Sequence, residues 1–208
     1  MDHNERFCYS PSIDHIVDRT GLLPGPTDII AISGYGGSGK TTLAQALGIR
    51  LMAPVLSIDE FGTADVFHRS NEWSGFDRPR LVRQVLAPVV AGARAVVYDS
   101  CDDWDTWQTV SVRLAISRYL ILEGVGLFHP DLLPYLDYRL WLDVSLAEAT
   151  AQGIARERAL SRDVRTLWKS IWAPNERDFE SRFHPRNAAD CLVRPSAPRS
   201  GRPGCDRS

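Results

Sequence analysis

The chain has 208 residues, 44% hydrophobic and 24% charged, the proportions of a globular domain that buries its own core. Lys plus Arg total 24 against 26 Asp plus Glu, a formal net charge of −2, so there is no basic field to draw in nucleic acid or an anionic membrane, and neither is expected as a partner. The four cysteines, Cys8, Cys101, Cys191 and Cys205, lack metal-ligand or redox-motif spacing. No apolar run approaches the ~18 residues of a membrane span, and the polar start MDHNERFCYSPS is unlike a secretory signal. The expected setting is cytoplasmic.

Residues 1–26 are expected to be a leader, with Ile13, Ile16 and Val17 at helical spacing before Gly21-Leu-Leu-Pro-Gly-Pro interrupts it. The run 28-DIIAIS-33 has the β-branched content and the glycine stop of a buried strand. A helix is expected over Thr41–Met52, then a second strand at 54-PVLSID-59. Leu81, Val82, Val85, Leu86 and Val89 recur at helical spacing over Pro79–Ala91, and Gly92 ends that helix. The segments 94-RAVVYDS-100 and 108-QTVSVRL-114 flank an acidic, Trp-rich turn and predict a hairpin. Strands follow at 118-RYLILEG-124 and 138-YRLWLDV-144, and Ser145 with Glu148 marks the start of a helix running to about Leu160. A further helix is expected from Arg162 to Trp172, then a last strand at 189-ADCLVR-194. Residues 195–208, rich in Pro, Ser, Gly and Arg, predict a disordered tail. Strands alternating with helices predict an α/β fold for residues 27–194: a mainly parallel five-stranded sheet, helices on both faces, and a small β-hairpin over one end.

Gly34-Tyr-Gly-Gly-Ser-Gly-Lys-Thr41 fits the P-loop pattern in full. Gly34, Gly36, Gly37 and Gly39 allow the backbone to close on phosphate, so that successive N–H groups, Ser38 and Thr42 included, cradle its oxygens. The helix that starts there adds its positive end. Lys40 is placed for the outer phosphates and Thr41 for Mg²⁺. The bland alternative, a glycine turn between strand and helix, leaves the lysine unexplained. The second strand ends in Asp59-Glu60, at the edge of a parallel sheet where ligands bind. An acid there can take an acceptor's proton or sit beside Mg²⁺; a solvated strand-end carboxylate is the alternative. Glu123 ends the most apolar strand, where P-loop enzymes place an acid on the Mg²⁺ side. The arginines of 156-RERALSR-162 are as compatible with a lid over the nucleotide as with a solvated helix face. Trp168 and Trp172, one helical turn apart, are expected in the core.

The series 31-AISGYGGSGKTTLA-44, 56-LSIDEF-61, 76-FDRPR-80, 97-VYD-99, 121-ILEGV-125, 139-RLWLDV-144 and 185-PRNAADCLV-193 resembles the uridine kinase family, within the group that includes phosphoribulokinase and bacterial pantothenate kinase. The P-loop alone is generic; the ordered series over roughly residues 28–194 is more specific. The resemblance implies transfer of a phosphoryl group from ATP, with Mg²⁺, to a hydroxyl of a small molecule, in that family the 5′-hydroxyl of uridine or cytidine. It implies that Asp59 is the catalytic acid, also near the metal, Asp77 the acid that holds the ribose hydroxyls, and Tyr98 an aromatic of the nucleoside pocket. It further implies that Glu123 lies on the Mg²⁺ side, that Arg156 begins the lid with Arg162 a second lid arginine, and that a homo-oligomer is common. The sequence departs from the family after VYD. Ser100 replaces an aromatic, and Asp103 stands in the region of a histidine that helps read the pyrimidine. Gly62 stands where the family has a tyrosine. Asp103 and Trp104, on the hairpin turn, are therefore candidates to meet the acceptor, with a solvated acidic turn and hairpin packing as the alternatives. The motifs favour kinase chemistry over any particular acceptor; another nucleoside, a pantothenate-like molecule, a sugar, or a non-catalytic nucleotide-binding role are the rival readings.

Overall fold

The computed structural model describes residues 12–194 apart from positions 22, 24, 26, 102 and 163, so the expected tail and the start of the leader lie outside the described residues. Among the described residues the strands are β1 (Asp28–Ser33), β2 (Val55–Ser57), β3 (Ala95–Ser100), β4 (Val110–Ala115), β5 (Tyr119–Glu123), β6 (Tyr138–Leu142) and β7 (Cys191–Val193). Five form one parallel sheet in the order β2-β5-β1-β6-β7, and β3 and β4 pair antiparallel as a separate ribbon. The expected α/β fold with a five-stranded parallel sheet and a hairpin is the one observed.

β1 is buried on both faces because helices cover both. Ile29 and Ala31 face one core, with Leu56, Leu120, Leu122 and Trp141; Ile30 and Ile32 face the other, with Ala44, Leu47 and Leu140. Each large aliphatic side chain buried here contributes about 1.5–3 kcal/mol. α1 (Ile13–Thr20) and α2 (Lys40–Leu51) cover the second core. Ile16 is fully buried in it, so the packed body extends upstream of the boundary expected at residue 27. The first core lies under α3 (residues 78–90), α4 (Leu146–Ala159) and α5 (residues 165–183). The start of α4 is capped by Ser145, whose Oγ accepts from the Glu148 N–H at 3.2 Å.

α3 and α5 are each interrupted by a π turn. α3 runs through Arg78–Leu81, the π turn Val82–Leu86 and Ala87–Val90; α5 runs through Arg165–Leu167, the π turn Trp168–Trp172 and Ala173–Phe183. In both, a proline (Pro88, Pro174) follows within two residues of the π turn. The N–H groups of Ala87 and Ala173 reach back five residues, to the carbonyls of Val82 and Trp168, so the ladder has already left α register where the proline brings no N–H. The end expected at Trp172 is therefore corrected: α5 continues to Phe183 and carries Asn175, Glu176 and Phe179 into the interior.

Candidate active site

The carboxyl ends of β2, β5 and β1 lie side by side, and they deliver Asp59, Glu123 and the glycine loop to one edge of the sheet. Ser57 pairs with Glu123 in the ladder, and Glu123 pairs with Ile32, two residues before Gly34. A cavity of about 930 Å³ opens there. On one side it is lined by Gly36, Gly37, Gly39, Lys40, Thr41 and Thr42, with Arg156 and Arg162 from α4 and the turn after it. On the other it is lined by Asp59, Phe67, Phe76, Trp104 and Trp172, with Glu123 between.

The loop conformation depends on glycine. Gly37 has φ 84°, and a Cβ there would collide with the backbone of Ala149 and Gly153 in α4. A Cβ on Gly36 would meet the Trp168 ring and Glu176 Oε1. Lys40 is buried, and its Nζ donates to the Tyr35 carbonyl at 2.8 Å, which curls the side chain over the loop. Burial holds its pKa below the usual lysine range, opposed by Glu176, Glu123 and Asp59. Gly34 and Ser38 belong to the same loop, and the Ser38 Oγ is buried without a hydrogen-bond partner.

Thr41 Oγ1 donates to Glu123 Oε1 at 3.3 Å. Glu123 is buried at the end of β5, and it and the enclosure of the site raise the Asp59 pKa to about 6, burial being the larger cause and Lys40 opposing it. Asp59 is exposed to the cavity, on the 3₁₀ turn Ile58–Phe61 that Ser57 caps. No group of three His, Cys, Asp or Glu among the described residues forms a metal cage. Mg²⁺ takes one or two carboxylates and completes its shell with phosphates and water. A hydroxyl and two carboxylates at the mouth of a phosphate loop supply that donor set.

Two residues singled out for the acceptor do not reach the cavity. Asp77 caps α3, accepting from the Arg80 N–H at 2.9 Å, and pairs with Arg80 Nε at 3.2 Å. Tyr98 is buried, stacks on Phe61 at 5.5 Å between centroids, and donates to Glu60 Oε2 at 2.7 Å. Ser100, where the resembling family has an aromatic, donates to the same oxygen at 2.9 Å. It is Glu60 that lines the cavity. Asp103 does line it, but its carboxylate is held by the Asp105 N–H and the Thr106 hydroxyl, which keep its pKa below the usual range. Trp104 donates from Nε1 to the Asp59 carbonyl at 3.3 Å, stacks on Trp107 at 5.8 Å and meets Phe67 edge-on, so it both packs the ribbon and walls the cavity.

The lid arginines meet one partner. Arg156 pairs with Glu157 Oε1 at 2.7 Å and Arg162 with Glu157 Oε2 at 3.6 Å; both are more than half exposed, while Glu157 is nearly buried.

Among the wall residues that did not emerge as site residues from the sequence are Trp168, Trp172 and Glu176. Trp168 is buried as expected, but its ring lies against Gly36 and Gly153. Trp172 donates from Nε1 to the Val66 carbonyl at 2.9 Å, and Asn175 bonds to Ser70 and His68, so α5 holds the segment after β2 in place. Glu176 accepts from the Gly36 N–H at 2.6 Å. A signal for the two tryptophans and for the continuing helix was present: Trp168, Trp172, Phe179 and Phe183 keep helical spacing across Pro174.

No protein-family model matches the chain, and no curated protein matches it in sequence. Solved structures share its fold. One, from Bacillus stearothermophilus and described as a possible uridine kinase, superposes with a TM-score of 0.67 at 18% identity over 87% of this chain and 96% of the other. Another, from Silicibacter sp. TM1040 and assigned provisionally as a fructose transport system kinase, gives 0.67 at 21% identity over 86% and 96%. The fold is that of P-loop kinases. No helix among the described residues is long and apolar enough to cross a membrane.

Proposed function

We propose that this protein is an ATP-dependent kinase of a small, uncharged hydroxyl compound, with the 5′-hydroxyl of a nucleoside such as uridine or cytidine as the first acceptor to try. The observation that carries the reading is the placement of Asp59 across one cavity from Lys40 and Thr41, with an aromatic wall beyond it. A nucleotide-binding switch needs the loop but no walled space beyond its acid. The polar groups left without partners support a phosphate ligand: Ser38 Oγ and Trp168 Nε1 are buried donors at or against the loop.

In this reading the cradle N–H groups and Lys40 hold the outer phosphates of ATP, and Arg156 and Arg162 leave Glu157 to cover them. Asp59, with its pKa of about 6, is mostly ionised at neutral pH and close enough to neutrality to act as a base. It takes the proton of the acceptor hydroxyl as that oxygen bonds to the γ-phosphorus. The bond from the γ-phosphorus to the β–γ bridging oxygen breaks, and ADP leaves. Thr41, Glu123 and Asp59 are the residues that would hold Mg²⁺, which when bound neutralises charge on the phosphates.

The basic groups lining the cavity are Lys40, Arg156 and Arg162, all on the phosphate side; the acceptor side has Asp59, Glu60, Asp103 and Asp105. An acceptor bearing a carboxylate or phosphate would meet like charge from these acids, which counts against a pantothenate-like molecule. A second reading, a sugar or polyol kinase, is favoured by the engagement of Asp77 and Tyr98 away from the cavity, since these are the residues that would hold a nucleoside. The test is ADP release with Mg-ATP against nucleosides, neutral sugars and anionic hydroxy acids. Stimulation by a neutral hydroxyl compound, reduced about 10²–10⁴-fold in Asp59→Asn, is the expected result. ATP turnover indifferent to every acceptor would refute the kinase reading.

A further inference from the structure

Glu176 stands where a phosphate oxygen is expected. It reaches the loop because α5 continues past Pro174, and it is 4% exposed in the cavity wall. Its Oε1 takes the Gly36 N–H at 2.6 Å, and its Oε2 is buried with no hydrogen-bond partner. We infer that the carboxyl group of Glu176 borders the terminal phosphate of the bound nucleotide and takes up one proton from solvent as that phosphate arrives. The inference rests on the kinase reading and adds to it a residue and a protonation step.

The charged and titratable groups around this carboxyl are few. From α2 comes Lys40, the only one that favours its ionised form by charge. From the loop comes Tyr35, whose hydroxyl bonds Glu180 one turn further along α5. Around Lys40 stand Glu123, Asp59 and Arg156. With no ligand, burial outweighs Lys40 and raises the Glu176 pKa to about 7, so the group is divided between its two forms near neutrality. A polyphosphate changes the balance in one direction. It claims the lysine as its own counter-ion and brings negative charge to an enclosed wall where an ionised carboxylate has nowhere to turn. The protonated form avoids the repulsion. It also turns the unpartnered side of the group into an O–H donor, for which a phosphate oxygen is the acceptor.

The sign follows. The empty site is increasingly ionised above pH 7, so each nucleotide bound there must bring a proton with it, and affinity falls as pH rises. The experiment is calorimetric titration with Mg²⁺ and a non-hydrolysable ATP analogue, from pH about 6.5 to 8.5, in two buffers of different ionisation enthalpy. The wild type is expected to take up close to one proton per nucleotide at the top of this range, with Kd rising toward tenfold per pH unit. Glu176→Gln, which keeps the shape and the acceptor for Gly36, is expected to bind without uptake and with a flat Kd. Binding by the wild type with no proton uptake overturns the inference alone, as does uptake that persists in Glu176→Gln. Absence of nucleotide binding in the wild type at every pH overturns the kinase reading and this inference with it.

Discussion

In the proposed reading the phosphate cradle is one unbroken stretch, residues 34–42, joined by Arg156 and Arg162 only at its cover, and it would work through backbone N–H groups that glycine frees to converge. The acceptor side draws side chains from separate places, among them Asp59, Phe67, Phe76, Trp104 and Trp172, and α5 fixes their spacing through Trp172 and Asn175. Backbone recognition is specified locally and tolerates little change at Gly36 and Gly37, where the wall already touches the missing Cβ. Side-chain recognition is specified only by the finished fold, and it permits substitution one wall at a time. Changes on the phosphate side should therefore depress turnover with every acceptor, and changes on the acceptor side should act on one substrate constant.

Lys40→Ala gives the largest expected effect. Removing a charge aimed at the transferring phosphate should lower kcat about 10²–10³-fold with every acceptor, by analogy with loss of a single oxyanion donor. Steady-state kinetics with two unlike acceptors checks it. A loss confined to one acceptor would mean that Lys40 does not serve the shared phosphate step.

Trp104→Ala comes next. Its ring borders the acceptor side and stacks on Trp107, and aromatic contacts of this kind are worth about 0.5–1.5 kcal/mol beyond area. The acceptor KM should rise by a few-fold to about tenfold while the KM for ATP stays put. Equal rises in both constants would show that Trp104 holds the ribbon in place and does not contact the acceptor, and the two halves would then be less separate than their construction suggests.

The same division decides what could be read from the sequence. β1, the glycine loop, α2 and the acid ending β5 are contiguous signals, each set by local spacing, and the structure places them at one sheet edge as expected. Glu176 was hidden by Pro174. A proline after an amphipathic run reads as a stop, and only the π turn at Trp168–Trp172 lets the helix pass it. Pro88 in α3 did no such harm to the reading, because Gly92 gave a later and stronger end signal. Asp77 and Tyr98 illustrate the converse difficulty. Their motifs were visible, but the structure engages Asp77 as the N-cap of α3, three residues before Arg80, and Tyr98 with Glu60, a partner no spacing rule reveals.

Asp77→Ala should have the smallest effect, and it is the sharpest test of the acceptor side. The residue caps α3 through the Arg80 N–H, and loss of such a cap costs about 0.5–2 kcal/mol. Its ion pair with Arg80 adds little, since the Asp77 side chain is 38% exposed and Arg80 is also held by the Asp99 carbonyl and the face of Phe61. At about 2–4 °C per kcal/mol for a chain of this size, Tm should fall by a few degrees. Acceptor KM should change less than about twofold, because truncation of a group outside the cavity leaves no ligand atom unpaired. A stable Asp77→Ala protein whose nucleoside KM rises a hundredfold would mean that Asp77 leaves Arg80 for the ribose hydroxyls when substrate arrives. The acceptor side would then be completed by its ligand.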